Sequence, residues 1–110
     1  MGPWSSEEIN QARAVPFWVI LNFLGAYQKR DPNYAPLDHN RKSVRVQVGY
    51  GGRDFRFIFT GEKWFNELMP DDFPGRGGGG AIDLVRHITD LGFVPAVKVC
   101  MDAQAARNAR

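Results

Sequence analysis

"SVRVQVGYGGRDFRFIFTGEKWFN", residues 43–66, decides the fold. Val44, Val46 and Val48 alternate with Ser43, Arg45 and Gln47, and Phe55, Phe57 and Phe59 alternate with Asp54, Arg56 and Ile58. A period of two sends successive side chains to opposite faces of a strand, so both runs read as strands with one apolar face. Between them "GYGG", residues 49–52, supplies residues tolerant of positive φ and reads as a hairpin connection. A second turn around Thr60, Gly61 and Glu62 leads into "KWFN", a short third strand. The expectation is a three-stranded antiparallel meander over residues 43–66. It buries Val44, Val46, Val48, Phe55, Phe57, Phe59 and one of Trp64 or Phe65, and it turns Arg45, Gln47 and Arg56 the other way.

Upstream the period changes. Ser5 and Glu8 have the spacing of a capping box, in which hydroxyl and carboxylate each satisfy an orphan amide at a helix start, so a helix is expected over residues 6–14. Val15-Pro16 interrupts it, and Pro16 suits the first turn of a second helix from Phe17 to about Leu24, closed by Gly25. That segment is apolar on nearly every side, which predicts cover from more than one direction and a place at the centre of the core. Residues 28–43, polar and containing two prolines, read as a loop with extended pieces.

Downstream, residues 67–80 read as a loop ending in "GRGGGG". Gly75, Gly77 and Gly80 satisfy G-x-G-x-x-G, but "MPDDFP" precedes them where a dinucleotide fold needs a buried parallel strand, and no strand follows the next helix. A Walker loop needs Lys-Ser or Lys-Thr after its last glycine, where Ala81-Ile82 stands. Two uses of the glycines survive: close backbone approach with positive φ at a helix entry, and a single anion contact at that helix start, aided by Arg76. The helix itself is expected from Ala81 to about Leu91, with Ile82, Val85 and Ile88 on its apolar stripe and Gly92 closing it. A last helix begins near Pro95.

The expected architecture is therefore α+β: the small meander packed against N-terminal and C-terminal helices. A chain of 110 residues, 44% apolar and 24% charged, holds one core. We read it as a single domain, with a helical part at about 1–27, the sheet at 43–66 and the closing helices at 81–106. No apolar run approaches the roughly 18 residues of a membrane span, and no secretory pattern opens the chain, so a cytoplasmic protein without membrane contact is expected. Cys100, the one cysteine, permits neither an internal disulfide nor a thiolate cluster. The formal charge is +2, yet residues 29–56 carry +4 and the remainder −2, an asymmetry that points to a polyanion partner.

The apolar helix running into "FLGAYQKRDPNYAP", the hairpin, "KWFN" and "GRGGGGAIDLVRHITDLGFVPAVKV" together resemble the zinc-binding domain at the front of bacterial DNA primases. The likeness runs from about Phe17 to Met101 and is most specific from Gly77 to Leu84. That family holds a structural zinc through three cysteines and a histidine. Here His39 stands where the histidine ligand is expected, Pro36 replaces the nearby cysteine, and no cysteine pair lies between Trp64 and Gly75. The ligand count excludes the zinc, and no other cofactor is expected. The resemblance implies a metal-free, zinc-ribbon-like variant of the kind found in plasmid and mobile-element primase-like replication proteins, ahead of a toprim catalytic domain. A bound ion supplies on the order of 10 kcal/mol of apparent folding free energy, and burial of Phe55, Phe57, Phe59, Phe65, Phe73 and Trp64 is expected to replace it.

Two functions follow. In the first, the outward face of the meander binds single-stranded DNA or a DNA–RNA hybrid, with Arg45, Arg53, Arg56, Lys63 and Arg76 meeting phosphates, Gln47 bonding base edges, and Tyr50 or Trp64 stacking on bases. In the second, the chain docks on a replication or conjugation partner or on a toprim domain, using an apolar patch for which Trp4, Ile58 and Phe73 are candidates. No nucleophile and base pair can be named: His39 and His87 are distant in sequence, and Asp83 suits a helix first turn. The chain alone is not expected to be an enzyme; it reads as an accessory domain of a primase.

Overall fold

The computed structural model describes residues 3–36 and 42–109. The fold is α+β, and among the described residues it comprises four helices and a five-stranded antiparallel sheet. The chain divides into a helical unit, Met1–Gly25 with Gly80–Arg110, and a sheet unit, Ala26–Gly79.

In the helical unit the capping box forms as its spacing requires. Ser5 Oγ accepts the Glu8 amide at 3.1 Å and the Ser5 amide donates to Glu8 Oε1 at 3.0 Å, opening α1 (Ser6–Arg13). Pro16 caps α2 (Phe17–Leu24), which ends on Gly25 at φ 67, a left-handed position that a side chain would strain. Two further helices, α3 (Gly80–Thr89) and α4 (Phe93–Asn108), complete the unit. Gly92 does not close α3. Thr89 ends it: its hydroxyl donates to Val85 O at 2.7 Å and accepts the Leu91 amide at 3.2 Å, the chain reverses at Asp90 (φ 62), and Gly92 caps α4. Pro95 sits in the first turn of α4, where its missing N–H costs nothing.

Ala12, Val15, Val19, Ile20, Ile82, Val85, Val97 and Cys100 form the core of this unit. Each large apolar side chain buried there contributes about 1.5–3 kcal/mol. Val19, Ile20 and Leu21 of α2 are buried, but Trp18 and Phe23 stay exposed, so α2 is not covered all round as its composition suggested.

In the sheet unit the meander forms as β2 (Ser43–Tyr50), β3 (Arg53–Thr60) and β4 (Lys63–Asn66), with Val46 opposite Phe57 and Phe59 opposite Trp64. Gly51 (φ 59) and Gly52 (φ 77) make the two-residue turn between β2 and β3. The expected three strands are five. An edge strand (Tyr27–Arg30, β1) pairs with β2, and another (Gly77–Gly79, β5) pairs with β4. Strand β1 is short and polar and strand β5 is all glycine, so neither shows an apolar–polar alternation long enough to reveal a strand.

One face of the sheet is aromatic. Phe55, Phe57 and Phe59 stack in line with centroids 5.5 Å apart at each step, and Trp64 meets Phe57 edge-on at 5.6 Å. Such pairs add about 0.5–1.5 kcal/mol each beyond area burial. Trp64, rather than Phe65, takes the buried position, while Val44 is only half-buried.

The glycine run answers to backbone geometry. A Cβ on Gly77 would come 2.8 Å from Trp64 O and 2.9 Å from Phe65 Cβ. Gly80, at φ 82, would run its Cβ into Arg13 Cγ. The glycines thus supply an edge strand pressed onto its neighbour and a left-handed entry to α3.

Candidate nucleic-acid interface

The sheet face opposite the aromatic ladder carries the candidate site. Alternation along β2 and β3 places Arg45, Gln47, Arg56 and Ile58 there, with Lys63 and Phe65 from β4 and with Tyr27 and Lys29 from β1. Cross-strand register aligns these side chains in rows. Lys29 lies opposite Gln47 and Gln47 opposite Arg56, while Tyr27 lies opposite Gly49. A Cβ added at Gly49 would be 3.6 Å from Tyr27 Cβ, so the glycine leaves the tyrosine ring an open flank. Tyr27 is 62% exposed; Lys29, Gln47 and Lys63 are exposed as well.

The two arginines are not open to solvent in the same way. Arg45 donates from Nε to Glu67 Oε1 at 2.7 Å and from Nη2 to Glu67 Oε2 at 3.2 Å, and its Nη1 reaches Asp31 Oδ2 at 3.3 Å. Arg56 Nε donates to the same Glu67 Oε1 at 3.0 Å. The Tyr34 ring lies 4.6 Å from the Arg45 guanidinium carbon. Hydrogen bonding from Glu67, then its charge, raises the Arg45 pKa, and the Asn33 amide together with Arg45 holds the Asp31 carboxyl below its ordinary range. Two cations and two carboxylates therefore balance within one cluster, half-buried, where a charge-assisted fork is stronger than a neutral hydrogen bond.

Three of the expected contact residues, Trp64, Tyr50 and Arg53, lie off this face, and a fourth, Arg76, lies on it over Phe65 with its charge engaged. Trp64 is 4% exposed, packed edge-on to Phe57, and presents no face on which a base could stack. Tyr50 and Arg53 pair across the β2–β3 turn on the aromatic side, where Arg53 covers the Phe55 ring at 5.0 Å. Arg76 lies 4.7 Å over the Phe65 ring, pairs with Asp71 at 2.9 Å and donates to Asn66 O at 3.4 Å, so its charge is engaged within the sheet unit.

Tyr27, Lys29 and Glu67 are the residues that sequence reasoning missed. Tyr27 and Lys29 do alternate, but over too few residues to stand out from a polar stretch, and Glu67 continues the alternation of Lys63 and Phe65 one step past the end of β4.

Pro36 is half-buried, and His39 lies outside the described residues. Among the described residues no group of three or more His, Cys, Asp or Glu is placed to hold a metal ion, and no helix is long and apolar enough to cross a membrane. No family model, curated protein or solved structure matches the chain at a significant level.

Proposed function

We propose that the sheet unit binds single-stranded nucleic acid, as a module of a primase-like replication protein of plasmid or mobile-element type. The observation that carries this reading is the row Lys29–Gln47–Arg56 beside exposed Tyr27 on the sheet face opposite the aromatic ladder. In it Lys29 and Lys63 meet phosphates, Tyr27 stacks on a base, and Gln47 bonds base edges, an arrangement tolerant of sequence because every base offers a π-face. Within this reading β2, β3 and β4 correspond to the zinc-ribbon of the primase relatives, and the Phe55–Phe57–Phe59–Trp64 ladder stands in for the ion. The chain acts as a binding domain in the cytoplasm, beside a toprim domain that does the chemistry, and needs no metal.

Fluorescence anisotropy with a labelled oligothymidine of about a dozen nucleotides tests it. Binding at low ionic strength should weaken as salt rises, with a log–log slope of about −0.7 for each phosphate contacted. Tyr27→Ala should weaken binding about tenfold or more. No binding at low salt overturns the reading.

One observation favours a second reading, docking on a replication partner without strong DNA binding: Arg45 and Arg56 already have carboxylate partners. The apolar positions expected to serve it change, however. Ile58 is 3% exposed and Trp4 is half-buried with its indole N–H donating to Val94 O at 3.1 Å, leaving Phe73 as the exposed member of the three.

A further inference from the structure

The helical unit holds a second surface that the nucleic-acid reading does not use. Between α2 and α4 runs an open groove of about 320 Å³. Trp18 and Phe23 wall it from α2, 53% and 43% exposed, while Ala103 and Ala106 form a floor of small side chains from α4. At one side Arg107 lies with its guanidinium carbon 5.1 Å from the Trp18 ring centroid.

Aromatic side chains left this exposed beside an alanine floor lose the burial that their size would otherwise give, while α1, α3 and α4 bury their apolar faces in the core of the unit. Composition fixes what would complete the groove. None of its lining residues is acidic, and among the described residues Arg107 forms no ion pair, whereas Lys98 on the same helix already pairs with Asp102 at 2.7 Å. The indole holds the guanidinium in place, and its donors remain to be matched by a carboxylate. The volume stands at the lower end of the roughly 300–1,000 Å³ of ligand pockets, enough for one or two large side chains. An eight-residue helix such as α2 spans about 12 Å, the length of two turns of a docked helix.

We infer that the α2–α4 groove is a docking site for an acidic amphipathic peptide segment of a partner protein. A large apolar side chain inserts between Trp18 and Phe23 over Ala103 and Ala106, and an Asp or Glu within one turn of it pairs with Arg107, the helix-in-groove mode of recognition.

Peptide display against the full chain provides the probe, followed by affinity measurement of a selected peptide. Peptides enriched in a Trp, Phe or Leu with an Asp or Glu three or four residues away are expected. Their binding should fall about tenfold or more with Trp18→Ala, as for an aromatic hot spot. Arg107→Glu should reverse the preference from acidic to basic peptides. Both residues are on the surface, and a circular dichroism spectrum and melting curve like those of the unaltered chain establish that each variant is folded. Enriched peptides without acidic residues, binding indifferent to both substitutions, or a groove occupied by a second copy of the chain in sedimentation experiments would each overturn the inference. An oligothymidine displaced from the chain by Arg107→Glu, with Tyr27→Ala silent, would also overturn it.

Discussion

The side-chain oxygen of buried Asn66 accepts the backbone N–H of Arg56 at 3.1 Å, across the strands that carry the candidate interface. The same oxygen accepts the Leu68 backbone N–H at 3.1 Å, while the Asn66 backbone N–H donates to Arg76 O at 2.8 Å. These bonds close the β3–β4 ladder at Asn66, and the next residue, Glu67, donates its backbone N–H to Arg56 O at 2.7 Å while its carboxylate meets Arg45 and Arg56.

Asn66→Ala removes the acceptor that the backbone amides of Arg56 and Leu68 share at a part-buried site. A loss of about 1–3 kcal/mol is expected for each group left unsatisfied. Urea unfolding of the variant measures it. The loss should exceed that of Gln47→Ala, an exposed neighbour on the same sheet.

Glu67→Gln removes the carboxylate shared by Arg45 and Arg56 and leaves both guanidinium groups in place. Oligothymidine affinity should rise, and the salt slope should steepen by up to about 0.7 for each phosphate newly contacted. Unchanged affinity in a protein that still binds DNA would show that the two arginines face away from the bound strand.

Gly80→Ala puts a Cβ on a residue at φ 82 and drives it into Arg13 Cγ. The left-handed conformation alone costs an alanine about 1–2 kcal/mol, and the collision adds to it. Gly75→Ala shares the positive φ, 82, but has open space around its Cβ. The difference between the two melting shifts isolates the steric part.

Cys100 lies in the helical core, and burial pushes its thiol up to about 12. The folded pKa lies above the ordinary value, so the fold favours the protonated form. Burial of the thiol leaves stability unchanged below about pH 9 and lowers it progressively as pH rises from there toward 12, because the unfolded chain releases the proton first. Unfolding free energies measured across that window should fall more steeply in the unaltered chain than in Cys100→Ala. The native thiol should also resist a disulfide reagent near neutral pH.

The meander and the four helices were legible in the residues because both depend on periodicity. Val44 to Val48 and Phe55 to Phe59 repeat every two positions, Ile82 to Ile88 every three or four, and Ser5 with Glu8 marks a helix start that the structure realises atom for atom. Strand β5 was not legible, because a glycine has no side chain to declare a face. Its presence there is explained by contact with Trp64 O and Phe65 Cβ, partners about a dozen residues earlier. The arginines were visible as cations on one face, but their partners were not. Glu67 meets Arg45 across β3, a distance of 22 positions along the chain, and no local pattern encodes that meeting.

The placement of the tryptophans has a spectroscopic consequence. Trp64 is sealed in the sheet unit and Trp18 stands open on the helical unit. A chain keeping Trp64 as its only indole emits from an apolar site and resists iodide; one keeping only Trp18 emits from a wetter site and is quenched. Denaturation of the two single-indole chains, followed by emission colour, reads out the loss of each unit separately and shows whether they melt together.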